Sequence, residues 1–175
     1  FKSGAWAGNF GFSSVETDND RPNSKMENLS SSLLVERQLS DVFSMDLLFL
    51  GYANDFGVIG PTSWETPQAY QQTDHYLLSP KIKFETEECE AFVSYSYSND
   101  DLFYFGSSKD QTTSVTDQQM IDSLVNFSLS DQLYLHLGSS YSSLKFHQKG
   151  LSSYAPSWSE GNGWEQVSAF FGFKY

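Results

Sequence analysis

The chain has 175 residues, the size of one domain spanning 1–175, and a formal net charge of -12 with a pI near 4.4. Ten Lys and Arg residues against 22 Asp and Glu leave no net positive charge to neutralise phosphates, which argues against nucleic acid as a partner. Mean hydropathy is -0.42, and the longest apolar run, Leu47-Leu48-Phe49-Leu50, is far shorter than the ~20 residues of a transmembrane helix. A single cysteine, Cys89, rules out an internal disulfide framework, and Phe1-Lys2-Ser3-Gly4 does not read as a secretory leader.

Taken in order, the chain alternates apolar and polar residues with a period of two, the mark of strands with one greasy and one wet face. Trp6, Phe10 and Phe12 define a first strand, and a polar segment from Ser14 to Asn28 reads as a long loop. Leu33 and Val35 mark a second strand, the connector Leu39-Ser40-Asp41 follows, and Phe43, Met45, Leu47 and Phe49 mark a third. Another long loop is expected from about Asn54 to Thr73. A fourth strand then carries Leu78, Ile82 and Phe84, with Pro80 hinting at irregularity or a later start. Glu87-Glu88 makes a tight turn into a fifth strand with Ala91, Val93, Tyr95 and Tyr97 on one face. A third polar loop is expected from Asn99 to Asp117, then a sixth strand with Ile121, Val125 and Phe127. Leu129-Ser130-Asp131 turns the chain into a seventh strand with Leu133, Leu135 and Leu137. A last loop, about His147 to Gly163, precedes the terminal strand.

That terminal strand is the most informative. Stepping back in twos from Tyr175 gives Phe173, Phe171, Ala169 and Val167, interleaved with Lys174, Gly172, Phe170 and Ser168. The pattern resembles the C-terminal signature of bacterial outer-membrane β-barrels. Tight connectors near 40, 88 and 130 alternate with long polar segments, which puts the short turns on one rim and the loops on the other. The expected fold is all-β, an eight-stranded antiparallel up-and-down transmembrane β-barrel, resembling the small barrels of the OmpA transmembrane-domain and OmpX class. The resemblance implies a place in the bacterial outer membrane, with loops extracellular and termini periplasmic. It also implies contact with outer-membrane lipid and lipopolysaccharide, and handling by the barrel-assembly machinery through Val167, Ala169, Phe171, Phe173 and Tyr175.

Periodicity alone does not say which face points outward. Gly4-Ala5-Trp6 resembles the Gly-x-Trp element of lipocalins, soluble eight-stranded barrels whose apolar face lines a ligand cavity. No amphipathic helix precedes the last strand as in that family, and inward aromatics such as Phe49, Tyr95 and Phe127 would crowd so small an interior. The apolar set is therefore expected outside. Aromatics make up 17% of the chain, enough for interfacial girdles: Trp6, Phe173 and Tyr175 at the short-turn rim, Tyr97 and Tyr141 at the other.

By the same parity the interior receives Glu36, Asp46, Lys81, Lys83 and Glu85, together with Glu90, Asp122, His136 and Lys174. Charges away from bulk water need partners, so a salt-bridged plug is expected, with a narrow ion or small-solute conduit as the alternative. Catalysis is not expected. The His-x-Ser spacing of the lipid A deacylase family is absent around His75, His136 and His147, of which His75 and His147 read as solvated residues at loop bases. Asp18-Asn19-Asp20 lacks the further acidic and glycine positions of a calcium loop, so no metal or other cofactor is expected. Large aromatics on polar segments, Trp64, Phe103, Tyr104, Phe105, Tyr154 and Trp158, are candidate contacts for a protein or surface-glycan partner. Their alternative is mutual packing on strands that outrun the bilayer. Arg37 is placed to snorkel at a rim.

Overall fold

Where apolar residues recur every second position, a chain can shelter one face and satisfy its backbone only by pairing with neighbouring strands. A computed structural model describes residues 2–3, 5–18, 23–59, 66–107, 109–130, 132–152 and 157–174, apart from the side chains of Lys2, Ser3 and Trp158. A two-residue strand, β1 (Lys2–Ser3), is followed by eight long ones. These are β2 (Trp6–Thr17), β3 (Met26–Gln38), β4 (Phe43–Gly57), β5 (Tyr70–Glu85), β6 (Cys89–Ser107), β7 (Asp110–Ser130), β8 (Leu133–Leu151) and β9 (Trp158–Lys174). They form one sheet in sequence order, each strand antiparallel to the next. The described residues contain no helix.

The tight connectors are where the sequence puts them. Leu39 N–H donates to Phe43 O at 2.9 Å, and Thr86 N–H to Cys89 O at 2.8 Å. Hydroxyls finish both turns: Ser40 Oγ accepts from Phe43 N–H at 3.2 Å, and Thr86 Oγ1 from Cys89 N–H at 3.0 Å. The long loops, by contrast, are largely strand. The segment 99–117 continues β6 to Ser107 and resumes β7 at Asp110, and 147–163 is taken up mostly by β8 and β9. β4 runs to Gly57 and β5 begins at Tyr70, well before the expected start near Leu78. β2 likewise extends to Thr17 and β3 opens at Met26. Apolar alternation fades at these places, but strand pairing in water needs backbone hydrogen bonds and cross-strand contacts rather than a greasy face.

Pro80 sits inside β5, where it pairs with Leu47 on the β4 side. On the β6 side the ladder lapses between Leu78↔Tyr97 and Lys81↔Ser94 and resumes in the same register. A hydroxyl pair, Ser79 and Ser96 at 2.8 Å, spans the gap.

Orientation is settled by exposure. Ser94 is 8% exposed while its neighbours Val93 and Tyr95 are 55% and 38% exposed. Phe10, Ile82, Ile121, Leu137 and Phe171 lie bare on the same face as Val93, whereas serines and charges occupy the sheltered one. Ala69, in the connection before β5, is the one buried hydrophobic residue among those described. An apolar internal cavity of the lipocalin kind is therefore not what this sheet builds. On β5 the outward face is apolar over nine positions, with Tyr76, Leu78 and Ile82 bare and Pro80 and Phe84 half-buried, the span of a tilted membrane-crossing strand.

Candidate functional site

The ladder registers align side chains into rows across the sheltered face. One row reads Glu36, Asp46, Lys81, Ser94, Asp122, Ser140, Ser168 from β3 to β9. A second, nearer the short turns, holds Lys83 with Phe92, Gly138 and Phe170. A third holds Glu85, Glu90, Asn126, His136 and Gly172, and Lys174 lies beyond it opposite Tyr134. All nine residues assigned to the interior from sequence thus share one face at the short-turn end.

They do not form a continuous network. Lys83 Nζ meets Asp46 Oδ2 at 2.5 Å, and Asp46 is well sheltered. His136 Nδ1 and Asn126 Oδ1 are 2.8 Å apart, with Asn126 donating to Glu90 at 3.4 Å. Lys81 places its ammonium 5.0 Å over the Phe92 ring rather than on a carboxylate. Glu36, Glu85, Asp122 and Lys174 form no ion pair or side-chain hydrogen bond among the described residues. Ser140 and Ser168 pair their hydroxyls at 2.6 Å. The far end of the Phe170 ring occupies the space a Cβ at Gly138 would need.

Higher on the same face, Tyr52 stacks on His75 with centroids 5.0 Å apart, and His75 Nδ1 lies 2.7 Å from Asp100 Oδ1. With Gly11, Ser30, Ser32 and Leu50, Tyr52 and His75 line a hollow of about 520 Å³. His75 is therefore a structured residue of β5, not a solvated loop histidine. Parity alone would have grouped it with Tyr52 only if the strand had been recognised this far up.

The opposite face changes character at the upper border of the apolar band, where Tyr97, in register with Leu78, reaches toward Asp117. Tyr97 O–H donates to Asp117 Oδ1 at 2.6 Å and the Asn99 amide to the same oxygen at 3.0 Å. These bonds, the tyrosine's first, hold the Asp117 carboxyl below its usual range, with Lys145 adding to the effect. Lys25 bridges Glu27 at 2.5 Å and Glu16 at 3.2 Å, and those contacts push its ammonium up to about 12. Arg37 lies 4.6 Å over the Trp6 ring at the short-turn rim, as its snorkelling position suggests.

Of the aromatics expected on loops, Phe103, Tyr104 and Phe105 stand on β6. Phe103 and Phe105 pack against Tyr70, at 5.8 Å edge-on and 5.3 Å stacked. Tyr104 points to the other face, in register with Gln71 and Thr112. Trp158 opens β9, while Trp64, Tyr154 and Tyr175 lie outside the described residues. Sequence reading missed Asn23, which adopts φ 61°. Its amide donates to Val58 O at 3.1 Å, Thr66 O at 2.7 Å and Ala69 O at 2.5 Å, tying the β2–β3 connection to the β4–β5 connection. Nothing in a lone asparagine within a polar stretch announces that role.

The described residues hold no group of three or more metal-ligating side chains. No protein-family model matches the chain, and no curated protein does. Among solved structures, 95% of it superposes on 36% of the siderophore receptor PiuA from Acinetobacter baumannii, with a TM-score of 0.69 and 10% identity. The ferric yersiniabactin uptake receptor FyuA from Yersinia pestis matches 88% of the chain over 26% of its own, with a TM-score of 0.49 and 10% identity. The chain thus spans about a third of PiuA, and at this identity the likeness is one of fold.

Proposed function

We propose that the chain is wall of a bacterial outer-membrane β-barrel, non-catalytic, acting structurally or through its hairpin ends in binding a partner protein or surface glycan. The observation that carries this reading is the apolar outward face repeated at alternate positions on successive antiparallel strands, bare at Phe10, Leu78, Ile82, Val93, Ile121, Leu137 and Phe171, with serines and charges behind it. A soluble protein rarely leaves so large an apolar surface open to water. The likeness to PiuA supports the barrel fold. The hairpin extensions above the band, stiffened by Tyr70 with Phe103 and Phe105 and by the Asn23 clamp, offer ordered surface on which a partner could dock.

A second reading, passage or capture of a small solute, is favoured by the sheltered polar face and its His75 hollow. Spin labels at Ile82, Val93 and Ser94, one at a time in a Cys89→Ser background, test the placement. Positions 82 and 93 should be relaxed by lipid-soluble oxygen, and position 94 by a water-soluble nickel reagent. The opposite pattern would reverse the wall and end the proposal. Steady single-channel conductance abolished by Asp46→Asn or Asp122→Asn would favour the solute reading over a plugged interior.

A further inference from the structure

The edge of β2 that faces away from β3 is where a closed eight-stranded barrel would seat β9, and β1 already occupies part of it. Lys2 pairs with Ala7 and Ser3 with Trp6. At the other border, β9 pairs only with β8 among the described residues. Successive strands reverse direction, so β1 and β9 run parallel to each other. β9 runs antiparallel to β2, yet the two do not pair, so the sheet of described residues is open between them.

Surface area agrees. A compact chain of this mass exposes about 8,600 Å², yet this one exposes 11980 Å². Part of the excess is β9, bare on both faces: Phe171 on the outward face is 74% exposed, and Phe170 on the sheltered face is 59% exposed. A 17-residue strand with an unpaired edge is not tolerated in lipid, where each unsatisfied backbone group costs several kcal/mol. Moreover, almost the whole sheet superposes on a minor part of one larger receptor chain, so its arrangement suits a fraction of a wall.

We propose that these strands are one sector of a wider barrel, completed along the edge of β2 beyond Gly8 and the outer edge of β9 by further antiparallel strands of the same polypeptide. Those strands carry outward apolar residues at every second position. Superposition within a single receptor chain favours added strands over a second copy. The inference rests on the membrane reading, but its main test does not depend on location.

An antibody raised against the β6–β7 hairpin, used on fully denatured cells that make the natural protein, reads the mass of the polypeptide carrying these strands. The expected band lies well above 19.8 kDa, the mass of these 175 residues. A band at 19.8 kDa would overturn the proposal. In the same cells, cysteines introduced in pairs at Gly8 or Phe10 on β2 and Val167 or Phe171 on β9, with Cys89→Ser, should give no disulfide between the two strands. An intramolecular β2–β9 disulfide would show closure at eight strands, and an intermolecular ladder would show a ring of copies. Either overturns it. Absence of the protein from the membrane fraction would count against the membrane reading, while the mass would still decide the width.

Discussion

At the scale of single residues, the sheltered face is built on fit as much as on charge. Phe170 covers Gly138, so a β-branched side chain there must displace the ring. Gly138→Val is expected to cost about 1–3 kcal/mol, measured as a lower denaturant midpoint in lipid vesicles, and Phe170→Ala in the same chain should recover most of it. Asp117 gives a pH dependence of definite sign. Because the folded carboxyl titrates below its ordinary value of 3.8, its contribution to stability is complete above that value. It is lost as pH falls through the lowered folded value. Amide exchange near Tyr97 and Asn99 should therefore speed up on acidification below that ordinary value, and Asp117→Asn should remove this dependence. An Asp117→Asn protein with an unchanged acid response would show that the Tyr97 bond stabilises nothing.

At the scale of elements, the strands were readable wherever one face is apolar. Ile121, Val125 and Phe127, or Leu133, Leu135 and Leu137, announce themselves because an apolar residue recurs at alternate positions. The short turns were readable for a related reason, since Leu39-Ser40-Asp41 interrupts two such runs. The extensions were not. From Asn99 to Asp101 and from Asp110 to Asp117 nearly every residue is polar, and Leu102-Phe103-Tyr104-Phe105 is apolar at both parities, so no period marks the strand. The ladder that holds it is a property of pairing and not of either sequence alone. The nine charged and imidazole residues share one face by register, and register also decides which of them touch. Lys83 found Asp46, while Lys81, two residues away, found an aromatic ring. The extension should also be separable from the band. Tyr70→Ala removes the ring shared by Phe103 and Phe105 and is expected to raise proteolysis and amide exchange at residues 102–105. Exchange at 91–97 should stay as slow as before; equal loss at both heights would show that band and extension unfold as one unit.

At the scale of the whole molecule, the two faces should respond oppositely to charge. Val93→Lys puts an ammonium on the bare apolar face near mid-band, the face the proposed wall turns to lipid, and is expected to cost about 2–4 kcal/mol in reversible folding into vesicles. Ser94→Lys, beside Asp122 on the sheltered side, should cost clearly less. Similar losses at both positions would contradict the assigned orientation. The interruption at Pro80 bears on the same wall. Between Leu78 and Lys81 the β5–β6 ladder lapses over two positions, and one hydroxyl pair, Ser79 with Ser96, spans the first of them. Proline is the one residue that cannot restore the missing donor. The β4–β5 ladder runs unbroken past the same point, so the weakness is a short slit between two strands, and a wall pulled sideways would part there first while its neighbours stay laced.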